Sequence, residues 1–168
     1  TNSMPVGHWT PAVVTGKPIE MGGWVGRREA TGRGVMIVTR EAAKHLGLDI
    51  NGATVAVEGV GNVGWVSADL LAAIGAKIVA VTDWKGGVYN ANGLDVAALI
   101  EHVRQHKTVD GYAQADPLTN EQLWGLEVDV LIPAALENQI TMDNAPEIKA
   151  RIVTEGANGP TTPEAHRH

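Results

Sequence analysis

The chain of 168 residues suits a single domain with a sizeable core, and its 44% hydrophobic and 19% charged residues are the balance of an ordinary folded domain. A formal net charge of −6 with no basic run to offset it argues against a nucleic-acid partner. No apolar stretch approaches the roughly 20 residues that span a bilayer, so no membrane partner is expected; zero cysteines exclude disulfide and thiolate chemistry and fit a reducing, cytoplasmic compartment.

The N-terminus lacks a basic-then-apolar leader, so no targeting segment is expected. Residues 1–23 are rich in Pro, Gly, Thr and Ser without a period and read as an extended lead-in. A helix pattern begins at Glu29, with Thr31 as its cap and Val35, Val38, Ala42 and Leu46 at helical spacing, until Gly47 stops it. Gly32 and Gly34 fall in its first turn, where glycine weakens a helix. The reading is that something approaches this helix start closely; a loose helix end is the alternative.

The stretch over residues 53–64 organises the rest. Residues 54–57 form a short apolar, β-branched run bounded by Asn51-Gly52 and by glycines downstream, which reads as a buried parallel strand. Gly59, Gly61 and Gly64 follow at GxGxxG spacing, and a helical pattern (Ser67, Ala68, Leu70, Leu71, Ile74) comes next. In such a unit the first glycine permits the tight turn, the second lets a pyrophosphate approach the backbone, and the third lets helix pack on strand. The free N–H groups and positive dipole end of the helix then face the phosphates. A second strand over residues 77–82 ends in Asp83, nineteen residues after Gly64, where a ribose-binding acid belongs. The candidate ligand is a dinucleotide. Asp83 favours NAD, because a carboxylate accepts from both ribose hydroxyls and repels a 2′-phosphate; the neighbouring Lys85 keeps NADP possible.

Residues 84–93 hold Gly86-Gly87 and Asn92-Gly93 and read as a turn-rich excursion with one small hairpin. Residues 95–106 form an amphipathic helix with Val96, Leu99, Ile100 and Val103 as its buried stripe. His102 and His106 share the i, i+4 spacing of zinc ligands, but they fall opposite that stripe among Glu101, Arg104 and Gln105 with no third ligand, so a solvated face and no metal are expected. Residues 107–118 read as a loop, 119–124 as a short helix with Thr119 as cap and Gln122 completing a capping box. Residues 128–132 read as a third strand, 141–149 as a helix-like turn, and 152–155 as a fourth strand. Thr161-Thr162-Pro163-Glu164 reads as a helix opening without a body, as in a sequence cut short.

Strands alternating with helices imply right-handed crossovers and an α/β fold: a doubly wound, Rossmann-like parallel sheet with helices on both faces, truncated at its C-terminus. Ligands of such sheets sit beyond the carboxyl ends of the strands. The glycine turn, Asp83, residues 133–135 and residues 156–159 all lie just past a strand end, so four loops converge on one rim.

Read together, those loops resemble the glutamate dehydrogenase family, more broadly the glutamate/leucine/phenylalanine/valine dehydrogenases. The resemblance rests on Val14-Thr15-Gly16-Lys17-Pro18, on Gly22-Gly23 with Gly26-Arg27, and on Glu29-Ala30-Thr31-Gly32-Arg33-Gly34. It extends through Glu58-Gly59-Val60-Gly61-Asn62-Val63-Gly64, residues 87–95, Pro133-Ala134-Ala135-Leu136-Glu137-Asn138 and Gly156-Ala157-Asn158-Gly159-Pro160-Thr161-Thr162. The Ala-Thr-Gly-Arg-Gly and Ala-Asn-Gly-Pro-Thr-Thr wording places it nearer the glutamate enzymes than the leucine or phenylalanine ones.

The resemblance implies oxidative deamination of glutamate to 2-oxoglutarate and ammonia, with NAD or NADP as cofactor. It implies that Thr31 hydrogen-bonds the nicotinamide carboxamide with Arg27 nearby, and that Asn62, beside Val63 in the glycine turn, contacts pyrophosphate or ribose. Ala134 and Ala135 would border the nicotinamide ribose, and Asn158 would hold the nicotinamide end. The family's catalytic residues belong to a separate substrate domain whose motif is not in this sequence, so no catalytic residue is expected here. The organisation expected is a lead-in (1–23), a dinucleotide-binding domain (24–165) and a tail (166–168), inactive alone. Alternatives are a non-enzymatic nucleotide-binding module and an engineered assembly unit; five tryptophans beside no phenylalanine fit an engineered or reconstructed sequence. Trp9, Trp24 and Trp84 stand where smaller or more polar residues belong, the last two near the cofactor rim. Self-association is expected, with a two-fold dimer as first guess.

Overall fold

In the computed structural model, which describes residues 27–157 and 159–167, the apolar run after Asn51-Gly52 becomes strand β1 (Thr54–Glu58) at the centre of a six-stranded sheet. The lead-in over residues 1–23, Trp9, Trp24 and Asn158 lie outside the described residues, as does the side chain of Arg27. Strands β2 (Lys77–Thr82) and β5 (Val130–Pro133) pair with β1 in parallel on either side, and β6 (Ile152–Val153) pairs in parallel with β5. Strands β3 (Gly87–Tyr89) and β4 (Asp116–Leu118) continue the sheet beyond β2 in antiparallel fashion, giving the order β4-β3-β2-β1-β5-β6. The expected Rossmann-like α/β fold is present as a mixed sheet: four parallel strands carry the site, and a hairpin extends one edge.

Both faces are covered, which is why β1 is buried from Val55 to Glu58. On one face pack helices α1 (Arg27–His45), α2 (Asn62–Ala73) and α3 (Val96–His106), closing Val55, Val57, Ile78 and Val81 against Leu71 and Leu99. On the other, α4 (Asn120–Trp124) and the 3₁₀ turn Ala145–Glu147 cover Ala56, Val79 and Leu131.

Helix α1 begins at Arg27, so Thr31 lies inside the helix and does not cap it. Its buried stripe runs through Val35, Met36, Thr39 and Ala43, while Val38, expected in that stripe, is 58% exposed and Leu46 is exposed too. The close approach expected at Gly32 is that of α2: a Cβ at Gly32 would lie 2.6 Å from Val66 Cβ, and Ser67 Oγ reaches the Gly32 carbonyl at 3.4 Å. Farther along α1, Thr39 Oγ1 donates to Thr154 Oγ1 at 2.9 Å, tying the helix to the end of β6 inside the core.

Other elements shift by a few residues for local reasons. Strand β5 starts at Val130 because Asp129 serves the bottom of β1: its carboxylate accepts from the Thr54 N–H and its own N–H donates to Thr54 Oγ1, both at 2.9 Å. The segment 107–118, expected as loop throughout, contributes edge strand β4, in which Pro117 lacks only a donor that an edge strand can spare. The strand expected over 152–155 is two residues long, and the turn expected over 141–149 is the 3₁₀ turn Ala145–Glu147. At the helix opening, Thr162 Oγ1 accepts from Ala165 N at 3.4 Å and a 3₁₀ turn, Ala165–Arg167, follows. The Thr119/Gln122 box forms as expected. His102 is not on a freely solvated face: it stacks on His106 with ring centroids 4.2 Å apart, meets Tyr112 edge-on, and its Nε2 lies 3.1 Å from the Asp110 carbonyl oxygen. Among the described residues no group of three or more acidic, histidine or cysteine side chains is placed to hold a metal ion, and no helix is long and apolar enough to cross a membrane.

Candidate functional site

The carboxyl ends of β1, β2 and β5 open on a cleft of about 490 Å³. Its floor is Glu58, Gly59 and Val60; Asp83 and Trp84 form the wall beyond β2, and Ala135, Leu136 and Gln139 the wall beyond β5. Among the described residues that line it, none is basic.

The glycines divide the work of the turn. Gly59 has φ +104°, a conformation that side-chain-bearing residues rarely adopt, and a Cβ there would meet Ala135 Cβ at 2.8 Å. A Cβ at Gly64, inside α2, would collide with the Gly59 carbonyl oxygen, so helix and turn touch backbone to backbone. Gly61 is different: it is exposed, and a Cβ there would meet nothing within 4 Å. It stands at the N-cap of α2 with no side chain bonding the helix end, and Asn62 and Val63 open the first turn with no acidic residue among them. The orphan N–H groups of that turn, with the positive end of the helix dipole, are suited to an anion.

Two loops close around this turn. Ala134 N donates to the Glu58 backbone oxygen at 2.8 Å, and Ala135 N donates to Glu58 Oε2 at 3.2 Å. Gly156 and Ala157 N–H groups both donate to the Pro133 carbonyl. A Cβ on Gly156 would lie 3.0 Å from Val63 Cγ1 and 3.1 Å from Ala134 Cβ, so Val63, Ala134 and Gly156 meet over the ends of β1, β5 and β6.

Asp83 is at the expected place but more engaged than its position in the sequence discloses. It is only 7% exposed. Its Oδ1 accepts from the N–H of Lys85 (2.9 Å) and of Gly86 (3.3 Å), and its Oδ2 from that of Val109 (2.8 Å). With about four lone-pair positions on a carboxylate, roughly one remains for a ribose hydroxyl rather than the two expected. Lys85 points to an ion pair with Asp110 at 3.0 Å.

Thr31 lies elsewhere. It lines a second, larger groove of about 920 Å³ along the outer side of β6, with Val35 and Val38 of α1 on one flank and Glu155, Thr161 and His166 on the other. The sites expected therefore fall into two groups. Gly59, Asp83 and Ala135 line the cleft, with Gly61, Asn62, Gly64, Val63 and Ala134 in or against the adjoining turn. Thr31 faces the groove, one helix turn into α1.

Sequence reasoning missed Glu58, Asn120, Leu136 and Gln139. Glu58 immediately precedes the first glycine, and Leu136 and Gln139 follow the loop already singled out beyond β5. Asn120, whose Nδ2 donates to the Asp83 carbonyl at 3.1 Å, gave no signal beyond its place after a capping threonine. Burial pushes the Glu58 carboxyl above the ordinary carboxylate range, against the opposing pull of the Ala135 and Ala134 N–H groups.

A profile described as Glutamate/Leucine/Phenylalanine/Valine dehydrogenase matches residues 22–168. The chain belongs to that family. It is 54% identical over 166 residues to a glutamate dehydrogenase of Thermotoga maritima, a match that covers 98% of this chain and 40% of that protein. It is 44% identical over 164 residues to an NAD-specific glutamate dehydrogenase of Clostridioides difficile, covering 95% and 39%. Among solved structures, the hetero-hexameric glutamate dehydrogenase of Thermus thermophilus in its Leu-bound form superposes with a TM-score of 0.83 at 39% identity, covering 98% of this chain and 39% of that one. The chain thus spans about 40% of the length of the family members it matches.

Proposed function

We infer that this chain binds a nicotinamide dinucleotide, NAD in preference to NADP, as the cofactor-binding part (residues 24–165) of an enzyme that deaminates glutamate oxidatively to 2-oxoglutarate and ammonia. The observation that carries the reading is the open, uncapped start of α2 at Gly61, next in the chain to Gly59 and Val60 of a cleft whose described lining includes Glu58 and Asp83 and no basic side chain. The pyrophosphate would rest on the N–H groups of that first turn, and Asp83 would take one hydroxyl of the adenosine ribose. A 2′-phosphate would meet two carboxyl groups, with Lys85 already held by Asp110. Asn62, Ala134 and Ala135 would border the pyrophosphate and the nicotinamide ribose. Arg27, Thr31 and Asn158 would serve the nicotinamide end, consistent with Thr31 lying apart from the cleft.

The bound cofactor supplies the hydride acceptor. Glutamate must also find a base and carboxylate anchors, which the family resemblance assigns to a separate substrate domain. The chain alone is therefore inactive, and a substrate domain supplied in trans or by fusion restores turnover. The relatives named glutamate dehydrogenase support the substrate, and the NAD-specific one supports the cofactor. A homo-oligomer, with a dimer as first form, fits the exposed Ile37, Val38 and Leu46 on α1, and a cytoplasmic setting fits the lack of cysteine. Calorimetric titration with NAD, NADP and ADP-ribose tests the reading. Binding of NAD and ADP-ribose at least tenfold tighter than NADP supports it, and no binding of any of the three would overturn it.

A further inference from the structure

Glu58 and Thr82 are cross-strand partners at the carboxyl ends of β1 and β2. Two residues earlier on each strand, Ala56 and Ala80 are in register as well, and both pack in the cluster that holds Leu123 and Trp124 of α4. Side chains alternate along a strand, so Glu58 and Thr82 stand side by side on that same face. Thr82 is fully buried, and its hydroxyl is the one buried side-chain polar atom among the described residues without a hydrogen-bond partner. A buried hydroxyl in that condition costs stability and calls for a reason. Glu58, its neighbour, reaches the floor of the cleft. Its Oε2 takes the Ala135 N–H, and its Oε1 is left to carry a proton that a hydroxyl oxygen beside it can accept.

We propose that Glu58 takes up a proton when an anionic ligand enters the cleft, with the Thr82 hydroxyl accepting the hydrogen bond of the neutral acid. Dinucleotide binding is then proton-linked. The proposal rests on the dinucleotide reading above and adds the control of that same site. Charge carries the argument. A pyrophosphate is anionic, and the described lining of the cleft offers it two carboxyl groups and no cation. One of them, Asp83 at the end of β2, is engaged by three backbone N–H groups. Glu58 has the Ala135 N–H alone on its side chain. The other polar side chains that line the cleft, Asn120 of α4 and Gln139 beyond β5, do not titrate, and the turn into α2 contributes only Gly59 and Val60. Glu58 is therefore the group that gives up its charge when a further anion arrives. Burial already pushes its carboxyl above the ordinary range, so the ligand completes a protonation that the fold favours.

The test is calorimetric titration of the full chain and of Glu58→Gln and Thr82→Val with ADP-ribose over about pH 5 to 8, each in two buffers of different ionisation enthalpy. ADP-ribose carries no nicotinamide and no group that titrates in that interval. The parent's affinity should fall as pH rises, by at most about tenfold per pH unit, the slope of one proton. The buffer comparison should show net proton uptake on binding. Glu58→Gln is neutral throughout, so it should bind without the slope, without the uptake, and more tightly than the parent at the alkaline end. Thr82→Val removes the acceptor and should move the fall in affinity to lower pH. A parent affinity that ignores pH, or a slope that survives in Glu58→Gln, overturns the proposal and leaves the dinucleotide reading intact. A Thr82→Val profile that coincides with the parent's overturns the part given to that hydroxyl. A parent that binds no ADP-ribose at any pH overturns both readings.

Discussion

Glu58 Oε2 accepts a hydrogen bond from the backbone N–H of Ala135 at 3.2 Å, joining the last residue of β1 to the loop beyond β5 across the floor of the cleft. This is a carboxyl group kept from water under a glycine turn, and burial holds its pKa above the ordinary 4.5. A carboxyl group with a raised folded pKa binds more protons in the folded than in the unfolded chain. Its contribution to stability is therefore fully present below the ordinary value and is lost as pH rises through the folded one.

Glu58→Gln retains an acceptor for Ala135 and cannot ionise. Urea denaturation at a series of pH values should find the variant and parent alike below about pH 4.5. The variant should then become the more stable of the two as pH rises toward neutrality. A stability difference that does not change with pH would mean that Glu58 ionises in the folded chain as it does in the unfolded one.

Gly32 and Gly34 sit two residues apart in α1 and should respond oppositely to alanine. A methyl at Gly32 drives into Val66, a β-branched side chain fixed on α2, and such overpacking costs about 1–3 kcal/mol. At Gly34 a methyl meets nothing within 4 Å, and the helix gains the usual advantage of alanine over glycine, about 0.5–1 kcal/mol. Denaturant midpoints of Gly32→Ala and Gly34→Ala, shifted in opposite directions from the parent, are the expected result.

How much of this was legible in the sequence depended on how local its cause was. Strand β1, the glycine turn and the capping box of α4 are fixed by neighbours within a few residues, and the sequence reading placed them. Thr31 is of a type that caps helices, and the glycines after it looked like a beginning, but the described helix already runs from Arg27. Edge strand β4 reads poorly because Asp116 and Pro117 are weak strand formers, and pairing with β3 decides it. The commitment of Asp83 to Val109, 26 residues away, comes from topology alone and leaves no local signature.

Thr39 and Thr154 form a buried hydroxyl pair 115 residues apart, and Thr39→Val removes one partner while keeping its shape. The remaining Thr154 hydroxyl is left without a counterpart in the core, at a cost of about 1–3 kcal/mol. Replacing both by valine removes the orphan and should recover most of the loss. A double-mutant cycle by urea denaturation checks this, and the coupling between the two positions is the quantity to read.

The glycine turn offers the sharpest separation of folding from binding. Gly61 has φ −74° and ψ −176°, extended backbone that valine adopts without strain, and the space where its Cβ would lie is open. Gly61→Val should therefore melt within about 0.5 kcal/mol of the parent, as exposed substitutions do. The same methyl groups would fill the approach to the first N–H groups of α2, so NAD and ADP-ribose should bind at least tenfold more weakly. Gly59→Ala is the counterpart. Its φ of +104° and the contact with Ala135 load the fold itself, and about 2–4 kcal/mol of stability should be lost from strain and overpacking together. Calorimetry on both variants, with thermal melts beside it, distinguishes the two roles. A Gly61→Val protein that binds as the parent does would remove the pyrophosphate from this turn, whatever the stability of Gly59→Ala.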